Sequence, residues 1–130
     1  MRFVVGVLVG MVLVCGCCLM KEEKEKKKGG GHPPLQGYRW VRRIGGQDKD
    51  VAEDVCADAN GNIYVVGYFS GTVNFADDFG GSDVKTSNGG EDAFITKIDA
   101  SGNYCWTHVL GGTDDEIAMG VCVDSQGNVY

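Results

Sequence analysis

Residues 38–64, YRWVRRIGGQDKDVAEDVCADANGNIY, return 66 positions later as residues 104–130, YCWTHVLGGTDDEIAMGVCVDSQGNVY. The two copies share 12 identities in 27 positions. Four further pairs are conservative: Ile44/Leu110, Asp50/Glu116, Val51/Ile117 and Ile63/Val129. A fixed period without insertion means that one supersecondary unit recurs, which points to a repeat architecture ahead of any other class. Tyr130 aligns with Tyr64, where the first copy continues as VVGYF. One full period with pieces on either side is therefore expected.

Four strand-like runs fit within the period: Ala52–Asp58, Asn62–Phe69, Asp92–Asp99 and Asn103–Leu110. Each is rich in β-branched and aromatic residues and bounded by Gly, Asn, Asp or Ser, as strands and hairpins require. A long polar stretch separates the second from the third. The next period opens with a further expected strand, Ile117–Asp124. Asp58–Asn62, Asp99–Asn103 and Asp124–Asn128 are three copies of one turn, D-x-x-G-N. An Asp side chain can hydrogen-bond the turn backbone, and Gly61, Gly102 and Gly127 supply the positive φ of a tight hairpin. Four antiparallel strands per unit, repeated about an axis, make a β-propeller, in which each small sheet buries its faces against its neighbours. The expected class is all-β: a partial β-propeller with one complete four-stranded blade, parts of the flanking blades and an N-terminal signal or anchor segment. A β-solenoid is the alternative, though its repeats are much shorter.

Several blocks in order carry a family resemblance. They are Trp40/Gly45/Gly46/Asp48, then Ala52/Val55/Asp58/Gly61/Asn62/Tyr64, then Val66–Phe69, then Asp92/Ala93/Phe94 with Lys97/Asp99/Ser101/Gly102/Asn103. Together with the second copy, including Trp106, Gly111, Gly112, Asp124, Gly127 and Asn128, they span about residues 38–130. This pattern resembles the SBBP repeat, a bacterial β-propeller repeat. The resemblance implies a propeller, often on secreted or surface proteins, and no defined reaction. Such repeats come in longer arrays, so closure of a ring requires further blades. Residues 38–46 match the fourth strand, so the array is expected to begin on an outer strand.

The segment before the repeats has a different character. Phe3–Met20 is an uncharged, mostly apolar run, followed by KEEKEKKK (21–28) and GGGHPP (29–34). The last two cannot bury apolar surface and read as linker. The run has the apolar core of a secretory signal, and Val14-Cys15-Gly16-Cys17 resembles the bacterial lipobox. That resemblance implies cleavage before Cys17 and lipid attachment to it. The expected organisation is a signal peptide at 1–16, a lipidated cysteine and linker at 17–34, and a partial propeller at 35–130. The competing reading is an uncleaved membrane-spanning helix, for which the run is just long enough. Five lysines after the run against one arginine before it would hold the repeats in the cytoplasm in that case.

Residues 35–130 hold 15 acidic and 6 basic side chains. Such a balance argues against a nucleic-acid backbone as partner. Candidate chemistry is sparse. The loops Gly45–Asp50 and Gly111–Glu116 are rich in oxygen, but lack the ligand spacing of a known Ca²⁺ loop, and Lys49 stands where the other copy has Asp115. Solvated turn carboxylates are the better account, for Asp77, Asp78 and Asp83 as well. Cys56 and Cys122 occupy equivalent strand positions and read as core packing. His32 and His108 make no site, and neither a Ser/His/Asp arrangement nor a phosphate loop is present. Trp40 and Trp106 read as packing between blades.

The expectation is a non-enzymatic, cofactor-free binding or scaffold surface, joined to a membrane through Cys17 and facing out of the cytoplasm. In a Gram-negative cell that means the outer membrane. Its ligand would be a protein or carbohydrate. A propeller enzyme acting on carbohydrate and a gene fragment without independent function are the rivals. The enzyme would need carboxylates converging from several blades.

Overall fold

The computed structural model describes residues 3–8, 11–15 and 38–130. In chain order the strands are β1 (Phe3–Leu8), β2 (Met11–Cys15), β3 (Tyr38–Ile44), β4 (Asp50–Ala57), β5 (Ile63–Phe69), β6 (Thr72–Asn74), β7 (Val84–Thr86), β8 (Asp92–Ile98) and β9 (Tyr104–Leu110). The expected lipidation site, Cys17, and the linker to residue 34 lie outside the described residues.

β4, β5, β8 and β9 form one open four-stranded antiparallel sheet in sequence order. These are the four runs read from the period, each within two residues of its expected start. The fold is all-β, with antiparallel open sheets and a blade of the propeller kind. β5 is buried along its whole length, Ile63 to Phe69, as a central strand covered on both faces must be. Gly67 lets the neighbouring strand approach it: a Cβ there would stand 2.0 Å from the Val51 carbonyl oxygen. Opposite it the ladder carries a bulge between Ala52 and Asp54.

One face of the blade holds the core. Ile63, Val65 and Phe69 of β5 and Phe94 and Ile98 of β8 pack with Trp40 and Ile44 of β3 and with Val73 and Phe75. Phe69, Phe75 and Phe94 meet edge-on or tilted at centroid distances of 5.2–6.4 Å, the geometry that ring quadrupoles favour. Thr96 and Thr107 lie side by side in this face, and their hydroxyls bond each other at 2.8 Å, so neither is left unsatisfied.

Two expectations need correction. The polar stretch between β5 and β8 is not all loop: β6 and β7 pair as a small hairpin, joined through a 3-10 turn at Asp77–Phe79. It forms because Val73, Phe75 and Ala76, few as they are, insert into the core and are almost fully buried. Ile117–Asp124 is not a strand. An isolated bridge, Val123 to Val129, forms there beside the paired backbone bonds of Cys122 and Tyr130, and residues 117–121 join no ladder.

The apolar run contributes the strands β1 and β2. β1 pairs antiparallel with β3 on one side and with β2 on the other, giving the sheet order β2-β1-β3. Among the described residues no helix is long and apolar enough to cross a membrane.

Candidate functional site

The blade has two ends of different chemistry. At one end lie the D-x-x-G-N turns, and the three copies are alike atom by atom. Asp58 Oδ1 accepts the backbone N–H groups of Asn60 and Asn62, both at 2.9 Å, while its Oδ2 accepts the Asn62 side-chain amide at 2.7 Å. Asp99 does the same for Ser101 and Asn103 at 2.8, 2.8 and 2.9 Å. Asp124 does so for Gln126 and Asn128 at 2.8, 2.9 and 2.8 Å. The glycine of each turn has φ of 82–86° and donates its N–H to the Asp carbonyl. A β-carbon resists that conformation, which is why glycine stands there.

These bonds favour the ionised carboxylate. The Asn103 backbone first, and then its side chain, hold Asp99 below the usual carboxylate range. The Asn128 side chain leads for Asp124. Burial pushes Asp58 upward, but the Asn62 and Asn60 bonds outweigh it and leave the group lowered.

The middle turn also grips the preceding strand. The Trp40 ring lies flat against Gly102, whose hypothetical Cβ would fall 2.5 Å from the ring. Arg42 Nε donates to the Gly102 carbonyl at 3.1 Å, and its guanidinium sits 5.4 Å from the Phe79 ring centre. Arg43 N–H donates to Asp78 Oδ2 at 2.9 Å. Nearby, Tyr104 donates its hydroxyl to Asp83 Oδ2, and Lys85 pairs with Asp83 Oδ1 at 2.8 Å. Burial, then the Asp83 bond, raises the Tyr104 hydroxyl far above the tyrosine range. The carboxyl of Asp83 is pushed up by burial, and the Lys85 and Tyr104 bonds pull it below its ordinary value.

At the other end lie the G-G loops and the β5–β8 connection. Gly46 N–H donates to Asp50 Oδ2 at 2.8 Å, and Gly112 N–H to Glu116 Oε2 at 2.6 Å, the same brace in both repeats. Asn88 N–H makes a third such bond to Asp92 at 3.1 Å. In each case a carboxylate four residues on takes the backbone donor. Asp50 and Asp92, the first residues of β4 and β8, are buried. The sequence reading of Asp50 as a solvated turn carboxylate is therefore corrected, and Asp92, named there only as part of the repeat pattern, has the same buried bracing role. The i, i+4 spacing from Gly46 and Asn88 was the available signal. Gly111 packs directly on Asp92. Lys49 reaches across to Glu91 Oε1 at 2.7 Å and stands 4.8 Å from the Tyr68 ring centre.

Two cavities flank this framework. A polar cavity of about 530 Å³ opens between the first G-G loop and the β6–β7 hairpin, lined by Gly45, Gly46, Gln47, Asp48, Asn74 and Asp77 among others. An apolar one of about 360 Å³ lies on the blade's second face, between Trp106, His108 and Leu110 and the segment with Val121, Val129 and Tyr130. The Trp106 and His108 rings are 4.8 Å apart. So Trp40 and Trp106 occupy the same repeat position in different surroundings. Trp40 is enclosed by the next blade, while Trp106 faces a hollow.

The cysteines differ from their expected surroundings. Cys56 is half-buried, whereas Cys105 and Cys122 are exposed, and all three are free thiols. Residue 122 lies outside any ladder sheltered by a neighbouring blade, so its side chain is not core. Burial first, then Asp54 and Cys122, raises the Cys56 thiol. Among the described residues no group of three or more His, Cys, Asp or Glu is placed to hold a metal ion.

Comparison with known proteins agrees with this architecture. Residues 39–71 match the family model of the SBBP β-propeller repeat. An uncharacterized WD repeat-containing protein of Acanthamoeba polyphaga mimivirus is 33% identical over 92 residues, 69% of this chain. The chain spans only 7% of the length of that relative. This is an SBBP-type β-propeller repeat protein.

Proposed function

We propose that the chain is a lipid-anchored, extracytoplasmic propeller segment whose repeat region presents a non-catalytic binding surface at the G-G loop end. One observation carries this reading. The carboxylates fixed by the repeat, Asp58, Asp99 and Asp124 at one end and Asp50 and Glu116 at the other, are each bonded to their own turn backbone. They act as braces for a frame. What the frame holds open is the polar cavity beside Gly45 and Gly46, with Asp48, Asn74 and Asp77 at its walls. A wall of amide, hydroxyl and carboxylate groups suits a polyhydroxylated or peptide ligand, bound by hydrogen bonds.

The address rests on the Val14–Cys17 lipobox-like stretch ahead of a charged and Gly/Pro linker. Intact mass of the chain expressed in a bacterial host tests it. The expected result is loss of residues 1–16 with added acyl mass, abolished by Cys17→Ala. An unprocessed mass in both forms rejects the anchor. For the surface, a glycan array probed with the chain and with Asp48→Ala/Asp77→Ala reads the ligand class. Binding lost in the variant supports a carbohydrate ligand, and equal binding by both forms places it elsewhere on the chain.

A further inference from the structure

The pairing of β1 and β2 with β3 repeats the pairing inside the complete blade. β3 and β9 are equivalent strands, 66 residues apart, so their partners can be compared position by position. In the blade, β9 pairs with β8 through Leu110↔Ala93, His108↔Ile95, Trp106↔Lys97 and Tyr104↔Ile98, with a register shift between Lys97 and Ile98. At the amino terminus, β3 pairs with β1 through Ile44↔Phe3, Arg42↔Val5, Trp40↔Val7 and Tyr38↔Leu8, with its register shift between Val7 and Leu8. The shift falls at the same repeat position in both ladders.

The next ladder agrees as well. β8 pairs with β5 through Ile98↔Ile63, Thr96↔Val65 and Phe94↔Gly67. β1 pairs with β2 through Leu8↔Met11, Gly6↔Leu13 and Val4↔Cys15. The three-strand row Val41–Gly6–Leu13 thus stands where Thr107–Thr96–Val65 stands in the blade. The chain order is reversed, because the third-position strand β1 precedes β2 and only Val9 and Gly10 separate them in sequence. A two-residue link suits an antiparallel hairpin, for which either order of strands gives the same ladders. β2 also approaches β4, on the blade side.

We infer that the amino-terminal apolar run serves as the second and third strands of a blade whose fourth strand is β3, so that the repeat region holds the run and competes with a membrane for it. The inference concerns the unprocessed chain: the cleavage before Cys17 proposed above would remove β1 and β2, so pairing with β3 and delivery to a membrane are alternative fates of the run. An apolar run of this length has two ways to satisfy its backbone: as a helix in a bilayer, or as strands in a sheet. β3 supplies the sheet. Without a partner it would present an open edge, which proteins cover or pair. The run gains a ladder and the edge is closed, and one segment cannot do this and cross a bilayer together.

The test uses the full chain with its six native cysteines changed to serine. Gly6→Cys with Val41→Cys places thiols on register partners, and antiparallel partners lie within the Cα range that a disulfide spans. Gly6→Cys with Arg43→Cys is the offset control. The register pair should crosslink several-fold faster than the offset pair. Crosslinked chain should stay in the supernatant when spun with phosphatidylcholine/phosphatidylglycerol vesicles, and reduction should send it to the pellet. Equal crosslinking of the two pairs overturns the blade assignment. A crosslinked chain that pellets as fully as the reduced one overturns the competition. Preferential crosslinking with no pelleting after reduction upholds the blade assignment and refutes the membrane reading of the run. Amide exchange in the unprocessed chain with its native cysteines checks the pairing without substitution: protection across residues 4–7 supports it, and free exchange there refutes it.

Discussion

Trp40→Ala is the perturbation that tests blade packing most sharply, because Trp106 provides an internal control at the equivalent position. Trp40 is 9% exposed and belongs to the core cluster, with its ring on Gly102. A tryptophan buries about 150–250 Å², and at about 25 cal/mol per Å² this amounts to about 4–6 kcal/mol as an upper bound. Measured truncations of this kind cost about 3–5 kcal/mol. With a urea m-value of about 2 kcal/mol per M, the midpoint should fall by about 2 M. Nε1 of Trp40 is buried and has no hydrogen-bond partner among the described residues. An unsatisfied buried donor costs about 1–3 kcal/mol, so Trp40→Phe should recover most of the loss by removing it. Trp106→Ala, beside an open hollow, should cost about 1 kcal/mol. Urea unfolding followed by far-UV circular dichroism reads all three variants. A Trp40→Ala midpoint no lower than that of Trp106→Ala would refute the reasoning, since the two residues would then be equally buried.

Other expectations follow from single contacts. Thr96→Val should destabilise by about 1–3 kcal/mol by stranding the Thr107 hydroxyl, whereas Thr96→Val/Thr107→Val should lie near the parent; a double-mutant cycle with no coupling would contradict the paired geometry. Gly67→Ala places a methyl on the Val51 carbonyl and should cost about 1–3 kcal/mol or more, and a wild-type thermal midpoint would show that β4 does not pack so closely. The pH dependence has a definite sign. Asp58, Asp99 and Asp124 have folded-state values below their ordinary one. Their stabilisation is complete above the unfolded value of about 3.9 and is lost as pH falls through the lowered folded values. Stability should thus decline below about pH 4, and changing the three residues to Asn should flatten that decline; an unchanged profile would remove the turns as its cause.

Much of the blade was legible because its signals are local. Strand ends are marked by D-x-x-G-N turns, whose Asp, Gly and Asn act within five residues of one another. A period without insertions then multiplies each signal. The β6–β7 hairpin was hidden because its folding depends on Val73, Phe75 and Ala76 reaching a core built by distant strands. The roles of Asp50 and Asp92 were hidden for a related reason: burial of a strand's first residue is a tertiary fact. Ile117–Asp124 shows the opposite error, since a strand pattern forms no strand without a ladder beside it. The apolar run reads as a leader or a helix when taken alone, and only the exposed edge of β3 gives it another use. Of the candidate site, the D-x-x-G-N braces were visible in the sequence, and the polar cavity was not, because its walls come from segments about 25–40 residues apart.

The central claim is that β4, β5, β8 and β9 form one blade in a fixed register. Backbone nuclear Overhauser contacts in solution test it most directly. The account predicts cross-strand contacts joining Val65 to Thr96 and Thr96 to Thr107, a single row across three strands. Contacts displaced by one residue, or a β8 paired with some strand other than β5 and β9, would contradict it, because a one-residue slip turns Phe94 and Ile98 out of the core.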